Sequence, residues 1–435
     1  MEISLRKAAV LCGGRVPGQM SSDRRTFITE LVSLLSVAGM PAGTRTAGVP
    51  MTDLRGVWVE TEQFSPDPAT GKKQIRDTVE QLVDARLNLL LAWAPSGYLV
   101  ALTNPHYAKD HPTARWDALG YLIKEAGAKG LPVHLWYSYT DYRSTKSPDF
   151  DPEVGGDPDW AAVRIDEFLP DYPTTRGAAR SDLWDRFLKK PQWEMDRLDV
   201  PLSSQNRKHD VCPQHQGARQ WQLRLLAGVL KRYPHLAGIH IEEPGYDYPG
   251  NCVCTLCRGI FHQLYGEKLE EHLDSLQAQD FRCLGTSAFM AELYHFLRRD
   301  YPRLYFSANG GYDWRRERRL LGRDWARWVR MGWLDFYAAQ VYTPSVDEFR
   351  QRLSMVVKDV GRDGPVVAGV GIRWSGHPDS NIPTETVVKE IELAREIGTP
   401  GQVLFHAGVI DQGLVEALRS GPYRSASPWP FYRRS

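Results

Sequence analysis

The segment Gly238-Ile-His-Ile-Glu242-Glu243-Pro244 sets two carboxylates side by side where an apolar run ends. Neighbouring carboxylates disfavour each other's charge and burial adds to the effect, so one of them holds its proton to a higher pH than a free glutamate. Cleavage of a glycosidic bond needs such a group, because the leaving oxygen departs poorly unless it is protonated. A second carboxylate across the sugar completes the reaction. Paired glutamates also serve as plain salt bridges or helix caps, so the pair by itself decides nothing. In a strand alternate residues share a face, which puts His240 with Glu242 and turns Glu243 away. Glu242 is therefore the first choice as the acid, with Glu243 retained. Asp313, then Glu60, then Asp141 are the choices for the second carboxylate.

A second cluster carries metal chemistry. Cys252-Val-Cys254-Thr-Leu-Cys257 gathers three thiols in six residues, and Cys212 stands just ahead of the helix leading into the fourth apolar run. Tetrahedral Zn²⁺ takes four such ligands at about 2.3 Å, and four thiolates close its coordination sphere. The expectation is one structural zinc on Cys212, Cys252, Cys254 and Cys257, with His215 a weaker substitute and no cofactor for catalysis. Disulfides are the alternative in an exported chain, but three cysteines this close cannot comfortably all pair with distant partners.

Eight short apolar runs must position these groups: 54–59, 88–93, 131–137, 236–241, 303–308, 334–341, 366–372 and 402–405. Segments of helical period follow them at 73–87, 116–129, 218–233, 287–300, 324–331, 345–360, 384–397 and 411–418. Ser345-Val-Asp-Glu348 reads as a capping box. Eight strand–helix units with no spare strand predict an α/β chain folded as a (β/α)8 TIM barrel. A doubly wound sheet would show a Gly-rich turn after its first strand, where this chain has Glu60-Thr-Glu62. Long insertions follow strands three and four, at 138–211 and 244–285, on the face where such barrels carry their sites. The first should wall a cleft with Trp160, Trp184 and Trp193. The polar and aromatic strand tips supply candidate sugar contacts: Trp58, Trp93, Trp136, Asp141, His240, Tyr246, Asn309, Trp314, Gln340, Tyr342, Arg373, Trp374 and His406. Rings stack on sugar CH faces, while amides, Arg and carboxylates bond hydroxyls.

Composition narrows the partners. The 435 residues carry 54 basic and 53 acidic side chains, a balance that argues against nucleic acid. No run of 18 apolar residues exists, so no stable membrane insertion is expected. Arg24-Arg25, a mildly apolar stretch and small residues to about 48 resemble a twin-arginine export signal, with 1–19 an upstream mis-start. The expected partners are a carbohydrate and the twin-arginine translocation machinery, and the expected location is periplasmic or extracellular. The barrel would span 49–420, with 421–435 a tail.

Arg55-Gly-Val-Trp58, Gly238-Ile-His-Ile-Glu-Glu243, Phe306-Ser-Ala-Asn309-Gly, Asp335-Phe-Tyr-Ala-Ala-Gln340-Val-Tyr342 and Val367-Ala-Gly369-Val-Gly371 resemble, in order, the bacterial glycoside-hydrolase-like family 10. The resemblance implies a (β/α)8 barrel acting on glycans, cell-wall strands among them. That family usually has paired Asp where this chain has Glu242-Glu243. The cysteine cluster resembles the zinc site of family 42 β-galactosidases, whose spacing favours Glu243 as the acid. Their strand-seven nucleophile has no counterpart here, where Gly371-Ile-Arg-Trp374 lacks a carboxylate. A glycan-binding barrel without catalysis is the alternative function. A metal-dependent amidohydrolase is discounted, because strand one lacks His-x-His.

Overall fold

The computed structural model describes residues 53–95, 98–99, 116–139, 141–142, 160–168, 209–246, 252–273, 275–361, 364–373 and 381–427. The eight apolar runs form β1 (Leu54–Glu60), β2 (Leu89–Trp93), β3 (Val133–Tyr137), β4 (Gly238–Ile241), β5 (Tyr305–Gly311), β6 (Phe336–Gln340), β7 (Val366–Gly371) and β8 (Gly401–Phe405). They close, in sequence order and all parallel, into one barrel, with β8 pairing back onto β1. Around it stand α1 (Pro68–Asp84), α2 (Ala118–Ala128), α3 (Gln216–Arg232), α4 (Thr255–Tyr265), α5 (Leu276–Asp300), α6 (Trp314–Leu321), α7 (Trp325–Arg330), α8 (Val346–Val360), α9 (Thr384–Ile397) and α10 (Gln412–Ser420). No described helix is long and apolar enough to cross a membrane.

Both faces of each strand are apolar because both are covered. Leu89 and Leu91 join Trp58, Trp136, Tyr305 and Phe336 in the barrel interior, whereas Leu90 and Ala92 pack outward against the helices. Register carries one row around the barrel: Glu60 pairs with Trp93, Trp93 with Trp136, Trp136 with His240, and His240 with Ser307. The strands are staggered, so this row climbs from the interior on β4 to the rim on β1. Short polar residues cap the helices that follow the strands. Asp67 accepts from Thr70 N, Asp117 from Gly120 N and Asp411 from Leu414 N.

Three elements differ from the sequence expectation. Helix α5 begins at Leu276 instead of 287, so the expected 244–285 insertion ends near Ser275, whose hydroxyl caps the helix. Residues 278–291 are buried on nearly all sides, and a helix without a polar face shows no amphipathic stripe. Helices α4 and α6 were not expected. The capping box is half made. Ser345 accepts from Glu348 N, but the Glu348 carboxylate takes Thr343 and Arg352 instead of reaching back.

The tail is part of the fold as far as it is described. Tyr423 is fully buried beneath the barrel, with the Arg55 guanidinium 4.6 Å from its ring centre and its hydroxyl accepting from Gln402 at 2.9 Å. Arg55 donates onward to the Ser425 carbonyl at 2.8 Å. Removing a buried ring costs about 3–5 kcal/mol. Tyr423→Ala is expected to lower unfolding stability by that order in denaturant titrations, and an unchanged midpoint would show the plug to be dispensable.

Of the strand-three insertion, Asp141–Tyr142 pairs antiparallel with His209–Asp210, and Ala161 bridges Val211. Trp160 lies against Gly217 at the start of α3, where a Cβ would meet the indole at 2.8 Å. It is a packing residue there. Trp184 and Trp193 lie outside the described residues, as does the 1–48 segment.

Candidate active site

Glu242 follows β4 directly, and its amide still bonds Tyr137 O of β3 at 2.9 Å, so the rigid sheet fixes its backbone. One carboxyl oxygen, Oε2, accepts two hydrogen bonds: from Trp136 Nε1 of β3 and from Asn309 Nδ2 of β5, the latter at 2.8 Å. Asn309 Oδ1 in turn accepts from the Glu243 amide at 3.0 Å, which fixes the orientation of the Asn side chain. With Oε2 saturated by donors, a proton on this carboxyl belongs on Oε1. Burial, then the charge of Glu243, pushes the Glu242 pKa up to about 8, against the two hydrogen bonds and the Arg323 charge. A carboxyl protonated at neutral pH can donate to a leaving group.

Glu243 is held by different contacts. Its φ of +37° is left-handed, unusual for glutamate. Its carboxylate meets Arg323 at 2.9 Å, and Arg323 also holds Glu317 at 3.0 Å.

Beneath Glu242 the interior is aromatic. Trp58 is fully buried, with Trp136, Tyr342 and Phe405 centred 6.2, 6.3 and 6.0 Å from it. Trp93 packs 4.8 Å from Trp136, and Tyr342 stacks on Phe405 at 5.3 Å. Trp93, Tyr342 and Phe405 are half-exposed, so these three rings form the surface offered above the core. The Tyr342 hydroxyl has no hydrogen-bond partner among the described residues. His240 is fully buried below. The Trp58 indole can only donate, so it donates to His240 Nε2 at 3.3 Å, and His240 Nδ1 carries the hydrogen given to Ser307 at 2.8 Å. Burial keeps His240 uncharged.

A third group sits at the tips of β1, β7 and β8. His406 Nδ1 accepts from Gly408 N at 3.3 Å, leaving Nε2 as the donor. Burial lowers its pKa, while the nearby Glu60 charge opposes that and the Arg373 charge adds to it. Arg373 is anchored by Nε to Asn381 at 3.4 Å. Gln340, half-buried, ends β6.

The four cysteines converge on the outer side of the β4 loop. Their sulfurs all lie within 4.8 Å of one another, with Cys212 to Cys257 at 3.3 Å and Cys212 to Cys254 at 4.0 Å. Four ligands placed tetrahedrally about 2.3 Å from one ion would stand about 3.8 Å apart, so the spacing fits zinc. All four are buried and none is in a disulfide. Backbone amides aim at the sulfurs: Val163 N at Cys252, 3.1 Å, and Cys257 N at Cys254, 3.5 Å. These donors favour thiolates. Hydrogen bonds from Cys212, Cys252 and Cys257 hold Cys254 well below its ordinary pKa, whereas burial raises Cys212 and Cys257. His215 Nε2 stands 3.8 Å from Cys254 Sγ, beside the set.

The glycosyl hydrolase-like 10 family matches residues 53–389. The chain belongs to that family. Among curated proteins, none matches the sequence. Solved structures with the same barrel include the catalytic domain of a β-amylase from Paenibacillus polymyxa, at 11% identity and TM-score 0.51, covering 87% of this chain and 100% of that one. An α-L-fucosidase isoenzyme from Paenibacillus thiaminolyticus matches at 16% identity and TM-score 0.48 over 84% of this chain. The chain spans about half of that fucosidase, 48%. A spore cortex-lytic enzyme from Bacillus megaterium matches at 9% identity and TM-score 0.43, covering 86% of this chain and 75% of that one.

In this glycosyl hydrolase-like 10 barrel several expected contacts take other roles. Trp58 and His240 are too deep to touch a ligand, and Asn309 is 1% exposed; they support Trp136, Tyr342 and Glu242 instead. Tyr246 is also fully buried. Pro244-Gly245 turns the chain so that Tyr246 N bonds Leu321 O at 2.8 Å, and its ring settles beside the cysteines. Asp313, the first choice for second carboxylate, caps α6 by accepting from Arg316 N at 3.2 Å. Trp314 donates to Asp324 at 2.8 Å and lies under Arg330, between helices. The side chain of Asp141, and all of Trp374, lie outside the description. Phe405, Glu317 and Arg323 were missed. Phe405 reads as one more strand residue. Glu317 and Arg323 sit in a charge-rich run outside any strand tip or motif.

Proposed function

We propose that this protein is an exported glycoside hydrolase in which Glu242 is the general acid, and that its four cysteines hold one structural zinc ion. The observation that carries the reading is the state of Glu242: a carboxyl pushed up to about 8, with one oxygen saturated by Trp136 and Asn309, at the rim of an aromatic barrel mouth. Membership of a hydrolase-like family supports it.

In this reading Trp93, Tyr342 and Phe405 seat the CH face of a sugar, and Glu242 Oε1 gives its proton to the glycosidic oxygen as the bond breaks. Trp136 and Asn309 stay bonded to Oε2 and stabilise the carboxylate left behind. Glu60, at the tip of β1 beside His406 and Arg373, is the favoured second carboxylate. Its role as base or nucleophile follows from its separation from Glu242 when substrate is bound. The zinc closes the loop behind β4 and takes no part in proton transfer.

Purified protein incubated with a panel of polysaccharides and denuded peptidoglycan should release shortened oligosaccharides, detected by mass spectrometry. Retention of a glycan on the protein with no cleavage product would instead establish a binding barrel. Fractionation of cells should place the mature chain outside the cytoplasm, and Lys at both Arg24 and Arg25 should trap it inside.

A further inference from the structure

Arg323 lies on the short link between α6 and α7, in no strand tip and no motif, yet the surroundings of β4 and β5 are shaped around it. It is 4% exposed and bridges two carboxylates, Glu243 at 2.9 Å and Glu317 at 3.0 Å. Three glycines clear the space. A Cβ on Gly245, two residues after Glu243, would collide with the Arg323 side chain. A Cβ on Gly311 would meet Glu317 Oε1 at 2.6 Å, and one on Gly310 would meet the Tyr337 hydroxyl at 2.6 Å. Gly322, with φ +67°, ends α6 in a left-handed turn and sends the next residue back toward β4. The amide of Arg323 bonds Glu317 O at 3.2 Å, and Tyr246 N ties the β4 loop to Leu321 O at 2.8 Å. Glu243 itself adopts φ +37° to reach this partner.

We propose that Arg323 is a positioning residue for the acid: by holding Glu243 as an ionised, immobile carboxylate it confines the proton of the Glu242–Glu243 pair to Glu242. The proposal rests on the reading of Glu242 as general acid. Two adjacent carboxylates hold one proton between them over a wide pH range, and the proton resides on whichever oxygen the surroundings favour. A guanidinium on Glu243 makes its charged form the better one, so the proton goes to the neighbour that faces the cleft. Glu317 shares the Arg323 cation with Glu243. The other titratable or charged groups facing this set are Arg316 on α6, Tyr337 on β6 and Tyr342 just past its end. The two tyrosines are held neutral by burial, and the charge of Arg316 is felt mainly with that of Glu317, next to it in sequence.

The test is a carboxyl-carbon NMR titration of protein labelled at glutamate, read beside hydrolysis of an unactivated glycan and an activated aryl glycoside. In the parent protein the Glu242 signal, assigned by its loss in Glu242→Gln, should move in one high step that the Glu243 signal does not share. In Arg323→Met both signals should move in that step, because the proton then has two homes. Turnover of the unactivated glycan should fall about tenfold at neutral pH, following the fraction of protein with the proton on Glu242, while the aryl glycoside changes less. Arg323→Lys keeps the charge and should restore separate titrations and most of the activity. Should Arg323→Met fail to fold, Glu243→Gln carries the test: Glu242 should then titrate at least one unit lower. Unchanged separate titrations in Arg323→Met, or an unmoved Glu242 step in Glu243→Gln, overturn the proposal even if hydrolysis stands. Shared titrations in Arg323→Met combined with full activity of Glu242→Gln would keep the coupling and remove the acid assignment.

Discussion

Glu242→Gln is expected to lower turnover of an unactivated glycan by about 10²–10⁴-fold, the usual contribution of positioned proton transfer. The amide keeps the shape of the side chain, and its oxygen can still accept from Trp136 and Asn309, so binding should change little. An aryl glycoside with a good leaving group needs less protonation and should lose much less. The parent enzyme should work up to about pH 8 and fall above it, because the acid then loses its proton. That basic limb should vanish in the variant. Stability provides an independent reading. The folded pKa of Glu242 is raised from its ordinary 4.5 to about 8, so the folded state binds the proton more tightly than the unfolded chain. Stability is then lost as pH rises across that window. Glu242→Gln removes the loss, and its melting temperature should match the parent near pH 4 and exceed it near pH 9. Full glycan turnover in the variant, with no change in the pH profile, would move the acid elsewhere.

The placement of Glu242 was legible because strand alternation is a local rule. His240 and Glu242 must share a face, and the barrel turns that face inward. The same rule carried all eight strands, whose apolar runs are short, bounded and covered on both sides. The rule fails for depth. It assigns Trp58 and Trp136 to one inward layer but cannot tell that stagger buries the first entirely and leaves Trp93 half open. It also fails after the strand ends. Asp313 and Asp67 both prove to be helix caps, and neither helix start was marked in the sequence. Arg323 was invisible for a different reason. Glu317 is a local partner, six residues before it, but Glu243 comes from a distant segment brought beside it only by the closed barrel, with glycines whose missing side chains make room.

The second large effect is expected at the cysteines. Protein purified without chelator should carry about one zinc per chain, and Cys212→Ser should lose it. Cys212 is the ligand to change because it comes from a distant segment. It joins the start of α3 to the loop and α4, so its loss opens the site between two elements instead of within one. Structural zinc contributes about 10–16 kcal/mol of binding free energy in small zinc modules, against a domain stability of only about 5–15 kcal/mol. Cys212→Ser should therefore unfold the region around α4 or abolish soluble expression. The segment 160–168 should loosen with it, since Val163 donates to Cys252 and Val253 N bonds Val163 O at 2.8 Å. Hydrogen exchange of that segment should rise on chelation before the barrel itself melts. His215→Ala should keep the metal, because the imidazole stands beside the sulfurs and four thiolates already complete the sphere. Cys283→Ser should keep it too; that thiol lies apart, against the Arg318 carbonyl at 3.6 Å. Thiol counting that found two disulfides among the four, or metal analysis that found no zinc in protein of full stability, would overturn the assignment and leave the cluster as buried packing.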